Sequence, residues 1–263
     1  MVFIATGVIE PAAPGGRPAR WAATARSGGT SGWPYESLNL AGYVGDEPDS
    51  VRANRGIVAA GLELDPSAIC LMDAVHGAEL AVVDGPGVVA GVDALLTRTA
   101  GLAIVALAAD CVPLALIGTD GITVAAAHCG WRGLVADVVA VTVTAMRDHG
   151  TDVARAVLGP AVCGRCYPVP VVRANEVRDK APAAVQGSAL ILCQDGQPGI
   201  DVRAGVRARL LDLGIGADRI SLVGGCTVED PGLFSFRRDG RTGRQGVAVC
   251  TLNPGQWWRE SSG

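Results

Sequence analysis

The sequence predicts an α/β (α+β) protein with a mixed central sheet flanked by helices. Three observations carry this expectation. Apolar residues make up 49% of 263 residues and charged ones 18%, enough to bury a sizeable core. Short apolar runs alternate with longer segments of helical period, the pattern of strands interleaved with helices. Gly 36 and Pro 15 supply the tight turns that many short elements need. Aromatics are only 4%, so Val, Leu, Ile and Ala must fill the interior. No linker or composition shift divides the chain, and residues 1–263 read as one domain.

Strands are expected at 2–9 and 20–24, joined by the breaker-rich segment 11–18. A glycine-rich loop at 26–37 leads to a helix capped by Asp46 or Glu47, with Pro48 in its first turn and Gly61 as its stop. Val51, Ile57 and Val58 should face inward there, with Arg52, Asn54 and Arg55 on the polar side. Short strands follow at 69–72 and 80–83, then apolar strands at 102–108, 114–117 and 123–127. Residues 133–149 read as one helix ending at Gly150, although its valines lose rotamer freedom in a helix. Further strands are expected at 156–158, 220–223, 233–236 and 247–250. Helices are expected at 171–180 and 201–213, the latter capped by Asp201 and stopped by Gly214.

A net charge of −4 gives no electrostatic reason to expect nucleic-acid binding. Residues 101–118 approach bilayer-spanning length, but Asp110 and Pro113 interrupt them, and two strands joined by a polar turn explain them better. The start of the chain lacks a signal-peptide pattern, so a soluble, cytoplasmic protein is expected, without a membrane partner. Eight cysteines in such a chain read as reduced thiols. Cys163-Gly164-Arg165-Cys166 is a C-x-x-C pair with no second pair, and Pro168 and Pro170 follow at once, so redox or zinc-knuckle use is not expected. Arg237, Arg238, Arg241 and Arg244 read as a solvated face or as a clamp for one small anion.

Chemistry concentrates at Ala109-Asp110-Cys111-Val112-Pro113 and His128-Cys129-Gly130-Trp131-Arg132-Gly133. Of three histidines, His149 suits a helix end, while His76 and His128 sit at strand ends, where loops carry function. His76, Cys111 and His128 would form a three-ligand zinc site with an open fourth position. The same residues allow a metal-free reading, with Cys111 as nucleophile, His128 as base and Asp110 orienting the imidazole.

Thr24-Ala25-Arg26-Ser27-Gly28-Gly29, Ser37-Leu38-Asn39-Leu40, Asn54-Arg55, Val75-His76-Gly77, the two clusters above, Cys166-Tyr167, Cys226-Thr227 and Phe234-Ser235-Phe236-Arg237-Arg238-Asp239 occur in order. Together they resemble the YfiH family, also called the DUF152 or polyphenol-oxidase/laccase-domain family, over residues 21–250. The resemblance implies a fold like the cytotoxic necrotising factor catalytic domain, with zinc (copper possible) held by His76, Cys111 and His128. It implies a purine nucleoside phosphorylase acting on adenosine, inosine and methylthioadenosine, with adenosine deaminase activity. Purine nucleoside and phosphate would be its partners, and the protein a monomer or homodimer. Members have also been described as copper laccases and as peptidoglycan-editing factors. Ala74, Cys129, Pro168 and Phe236 depart from the pattern, which has Gln, Ala, an acidic residue and Tyr there.

Within that resemblance, Asp110, Cys111, His128 and Arg132 are the expected catalytic residues, with Asp110 as proton shuttle. Arg26, Arg55, Arg132 and Arg237 are candidates to bind phosphate, and Asn39 the ribose or base. A multicopper mechanism needs more imidazoles than three histidines provide. The alternatives are a Cys–His hydrolase acting on muropeptides and a protein that only binds cell-wall precursors.

Overall fold

The structure is a computed structural model and describes residues 1–12, 14–193 and 195–253. The end of the expected domain, 254–263, lies outside the described residues. In chain order the first half comprises β1 (Phe3–Ile9), β2 (Ala19–Thr24), α1 (Pro48–Gly61), β3 (Ile69–Asp73), β4 (Leu80–Val82), β5 (Gly87–Ala90), β6 (Ala94–Thr97), β7 (Ala103–Ala108), β8 (Val112–Gly118) and β9 (Val124–Cys129). Then come α2 (Trp131–Val135), α3 (Val138–Asp148), β10 (Val153–Leu158), α4 (Val171–Lys180), α5 (Ala183–Ala189), β11 (Leu190–Leu192) and β12 (Pro198–Ile200). The chain finishes with α6 (Val202–Asp212), β13 (Ile220–Leu222), α7 (Phe236–Asp239) and β14 (Gln245–Thr251).

The class is the mixed α/β one expected, but two six-stranded sheets replace the single central sheet. One has the order β1-β2-β14-β7-β3-β5, the other β13-β10-β8-β9-β6-β4, and both mix parallel and antiparallel pairs. Alternate residues of each sheet meet in a shared core, with Trp21, Met72, Ile104 and Val249 from the first and Leu95, Ile117, Val124 and Val157 from the second. The opposite face of the first sheet is covered by α1 and by Leu38 and Leu40. That of the second is covered by α2, α3, α4, α5 and α6 through Leu134, Val143, Val177, Val185 and Leu210. A chain buried on both faces of two sheets reads as continuous apolar runs, so periodicity could not reveal how many sheets there were.

Several elements differ from expectation for identifiable reasons. The helix expected at 133–149 is two, because Asp137 takes φ 60° and breaks it. The Asp137 carboxylate is held there by Arg209 of α6 at 2.9 and 2.7 Å. Residues 233–236 do not form a strand; the Gln245 side chain occupies the amide and carbonyl of Phe234 at 2.5 and 2.9 Å in place of a neighbouring strand. Strands β5, β6, β11 and β12 and helix α5 were not anticipated. Asp201 does cap α6, accepting from the Ala204 amide at 2.8 Å.

Asn54 is the clearest reversal. Expected on the polar face of α1, it is fully buried and ties down the glycine-rich loop. Its Oδ1 accepts from the Thr30 amide at 2.8 Å, and its Nδ2 donates to Ser31 Oγ and to the carbonyls of Ser37 and Asn39. Truncation would strand several buried polar groups, each costing about 1–3 kcal/mol. Asn54→Ala should therefore destabilise the protein by roughly 3 kcal/mol or more, read as a fall in the urea midpoint with unchanged slope.

Candidate active site and metal centre

The site lies where the chain passes from one sheet to the other. Residues 74–79 connect β3 to β4, 91–93 connect β5 to β6, and 109–111 connect β7 to β8; each connection crosses between sheets. His76, Asp93 and Cys111 come from these three crossings. His128 lies on β9, opposite Pro113 of β8, which sets it beside Cys111.

The ligand atoms of His76, Cys111 and His128 lie within 4.8 Å of one another, so the expected trio does converge as a group able to hold a metal ion. The two imidazoles meet edge to face with centroids 4.7 Å apart. Close approach depends on Gly130, where a Cβ would lie 3.2 Å from both Cys111 Sγ and His76 Cδ2. This explains a glycine two residues after His128 better than any turn requirement.

Asp93 holds the trio in place, and sequence reasoning missed it. Its side chain is fully buried. It accepts from the amides of His76 at 2.9 Å, Gly77 at 2.6 Å and Val75 at 3.3 Å, and its Oδ1 lies 2.9 Å from His128 Nδ1. The backbone bonds hold His76 at φ 65°, an uncommon conformation for a side chain of this size. The imidazole contact engages Nδ1 and leaves Nε2 for Cys111 or a metal. Burial opposes the charge of Asp93, but these hydrogen bonds outweigh it and hold the carboxyl below its usual range. The only sequence signal for it is an aspartate directly before the apolar strand β6.

Burial also opposes ionisation of Cys111, yet the charge of His128 and hydrogen bonding from both histidines hold its thiol down at about 6. His128 answers: burial pulls it down, but Cys111 and Asp93 hold it up at about 9. Without a metal, the pair is a thiolate beside an imidazolium. Asp93, not Asp110, orients the ring, which corrects the expectation for Asp110.

Above the trio opens a cleft of about 520 Å³, within the usual size of small-molecule sites. Arg173, Arg237 and Arg244 line it with Tyr43, Tyr167 and Phe236. Arg237 lies over the Tyr167 ring at 4.5 Å, and Arg244 over Tyr43 at 6.0 Å and Phe236 at 5.8 Å. Ala74 also lines the cleft. Cys129 is fully buried, and burial pushes its thiol up, as suits a small core filler.

The expected substrate residues divide sharply. Arg237 faces the cleft, but Arg26 spends its guanidinium on the Glu36 carbonyl and Asp239, at 2.9 and 3.1 Å. Arg55 donates to the Leu40 carbonyl at 2.9 Å and borders a different hollow. Arg132 is exposed beside Trp131, outside the cleft lining. Asn39 is fully buried; its Oδ1 accepts the Arg244 amide at 2.9 Å, so it positions a cleft arginine. Asp110 borders the cleft, but its carboxylate accepts from Thr227 Oγ1 at 2.6 Å, Ser235 Oγ at 2.7 Å and the Arg237 amide at 2.7 Å. Arg173 was missed as a cleft residue, and of the arginine cluster read as a possible anion clamp only Arg237 and Arg244 line the cleft. Arg238 is turned away onto the carbonyls of Thr227, Asp230 and Leu233.

The chain is similar in sequence and in fold to known proteins. The sequence profile described as "Multi-copper polyphenol oxidoreductase laccase" matches residues 20–252. A purine nucleoside phosphorylase of Streptomyces coelicolor is 48% identical over 84% of this chain and 90% of its own. The purine nucleoside phosphorylase YfiH of Escherichia coli is 35% identical over 86% of this chain and 91% of its own. Among solved structures, the hypothetical protein YfiH of Bacillus licheniformis superposes with a TM-score of 0.82 at 28% identity, covering 89% of this chain and 93% of that one. Among the described residues no helix is long and apolar enough to cross a membrane.

Two outcomes follow from the geometry. Asp93→Asn should weaken metal binding at the trio by about 10- to 100-fold in a competitive chelator titration. In metal-stripped protein, alkylation of Cys111 by iodoacetamide should rise with a midpoint near pH 6, since the thiolate persists above about 6; peptide mass spectrometry at graded pH reads this directly.

Proposed function

The chain belongs to the multi-copper polyphenol oxidoreductase laccase family, YfiH proteins included, and from that premise we propose that it is a zinc-dependent purine nucleoside phosphorylase with adenosine deaminase activity. The observation that carries this reading is the single cleft combining the His76–Cys111–His128 trio with three arginines and three aromatic rings. Relatives named purine nucleoside phosphorylases support it.

The donor set fits zinc: two imidazoles and one thiolate would supply three protein ligands, the number typical of a catalytic rather than a structural site. Three histidines in the whole chain, one of them bonded through Nδ1 to the Ala145 carbonyl at a helix end, do not fit a multicopper centre. When bound, zinc supplies Lewis acidity for the deamination reaction. The remaining work falls to the chain.

Arg237 and Arg244, with Arg173, present guanidinium groups suited to a phosphate dianion. Tyr43, Tyr167 and Phe236 offer faces against which a purine can stack. Phosphorolysis forms an O–C1′ bond from hydrogen phosphate as the C1′–N9 bond breaks, and the purine leaves with the proton that hydrogen phosphate gives up. Positive charge builds on the ribose in that transition state, and phosphate held by the arginines stabilises it. Asp110 contributes by fixing the Arg237 amide, alongside Ser235 and Thr227. Phe236, lacking a hydroxyl, can stack but cannot hydrogen-bond the substrate.

A second reading has its own support. Asp93, His128 and Cys111 stand in the order of an orienting acid, a base and a nucleophile, and the thiol is held at about 6. That arrangement suits a hydrolase attacking an amide or muropeptide.

Zinc-loaded protein given inosine and phosphate should release hypoxanthine and ribose 1-phosphate, and adenosine should yield inosine. Metal-stripped protein and Cys111→Ala should do neither. Arg244→Ala should raise KM for phosphate by roughly 10- to 100-fold, the worth of one charge-assisted hydrogen bond. Absence of phosphorolysis, together with cleavage of a muropeptide amide by the metal-free protein, would favour the hydrolase instead.

A further inference from the structure

The C-x-x-C pair is not isolated in the folded protein. Cys226 and Glu229 arrive from more than sixty residues downstream, and the ligand atoms of Cys163, Cys166, Cys226 and Glu229 all lie within 4.8 Å of one another. We propose that these four residues form a second, structural zinc site, separate from the trio in the cleft.

The donor chemistry is that of a closed structural centre. Three thiolates and a carboxylate complete a tetrahedron, whereas the cleft trio leaves a position open. Zinc–sulfur bonds of about 2.3 Å put sulfurs in a tetrahedral site roughly 3.8 Å apart, a spacing compatible with this group. All three cysteines are free thiols in this structure.

The local backbone is built to present them. Cys163 caps and Cys166 ends a single 3-10 turn (Gly164–Cys166), closed by the Cys166 amide on the Cys163 carbonyl at 3.0 Å. The Cys163 amide also points at Cys226 Sγ, at 3.3 Å, a contact that favours a thiolate there. Cys166 Sγ meets Glu229 Oε1 at 3.5 Å. Cys226 is fixed by a β-bridge to Ala161 and by the Thr227 amide on the Ala161 carbonyl. Three thiolates and a carboxylate around one divalent ion carry net negative charge, which Arg165, 4.0 Å from Glu229, partly offsets. A fourth thiol, Cys193, is turned onto the carbonyls of Gly164 and Arg165 and stands outside the group.

The position gives such a site a purpose. Tyr167 follows Cys166 and carries Arg237 on its ring; Thr227 follows Cys226 and bonds Asp110. One ion would join the loop that brings Tyr167 to the cleft to the segment that holds Asp110 through Thr227.

The proposal is tested on full-length protein purified under reducing conditions from zinc-supplemented cells, with metal counted by mass spectrometry. Wild type should hold about one zinc more than Cys226→Ser or Cys163→Ser, and Cys111→Ala should keep that zinc. Equal zinc in wild type and Cys226→Ser, or copper alone in that site, overturns it. If the cysteine variants do not fold, cobalt decides: Cys111→Ala reconstituted with cobalt should show intense thiolate-to-metal absorption, and its absence overturns the proposal. Recovery of Cys163, Cys166 or Cys226 as a disulfide in freshly purified, unreduced protein also overturns it.

Discussion

The buried carboxylate of Asp93 is the interaction on which the rest of this site depends. A charge with no solvent exposure would cost several kcal/mol if left alone. Here three backbone amides and one imidazole surround it. In satisfying one anion, the chain fixes the crossing that carries His76 and the ring orientation of His128. Removing the negative charge would loosen both at once, leaving the Cys111 thiol as the group that still contacts both imidazoles.

The two-sheet architecture explains why the site is where it is. Sheets packed face to face need connections at their ends, and connections that change sheets cannot be tight hairpins. Three such crossings meet at one end and bring together residues that no local motif could align. Small side chains such as Ala23, Ala106, Ala115 and Ala126 fill much of the core between the sheets, allowing them to approach closely. The arginines and aromatics of the cleft then come from outside the sheets, on α4, on α7 and on the loops beside α1 and β14. They are anchored indirectly, Arg244 through Asn39 and Arg237 through Asp110.

Much of the secondary structure was legible because the strands are apolar throughout and the helices carry ordinary stop signals. Strands β7, β8 and β9 and helices α1, α4 and α6 fall close to where apolar runs, Pro48, Asp201 and Gly214 put them. Failures came where a distant side chain imitates or breaks local structure. Gln245 satisfies Phe234 as a strand would, and Arg209 pins Asp137 in a conformation that divides a helix. Asn54 followed a polar pattern yet faces inward, because its amide serves five backbone and hydroxyl partners.

By itself the sequence pointed to His76, Cys111 and His128 as candidate ligands, to the mixed α/β class and to the family. The candidate ligands and the family were legible because each stands in a short motif of unusual composition, and the class because the apolar runs alternate with helical segments. Only the tertiary structure decided which arginines enter the cleft, since guanidinium groups at the ends of long side chains go wherever their partners lie. Arg26 and Arg55 were drawn to carbonyls, and Arg173 and Arg244 to the cleft. The same holds for Asp93 and for the Cys163–Cys166–Cys226–Glu229 group. Their partners are distant in sequence, and burial and hydrogen bonding across sheet crossings, which no local pattern encodes, brought them together.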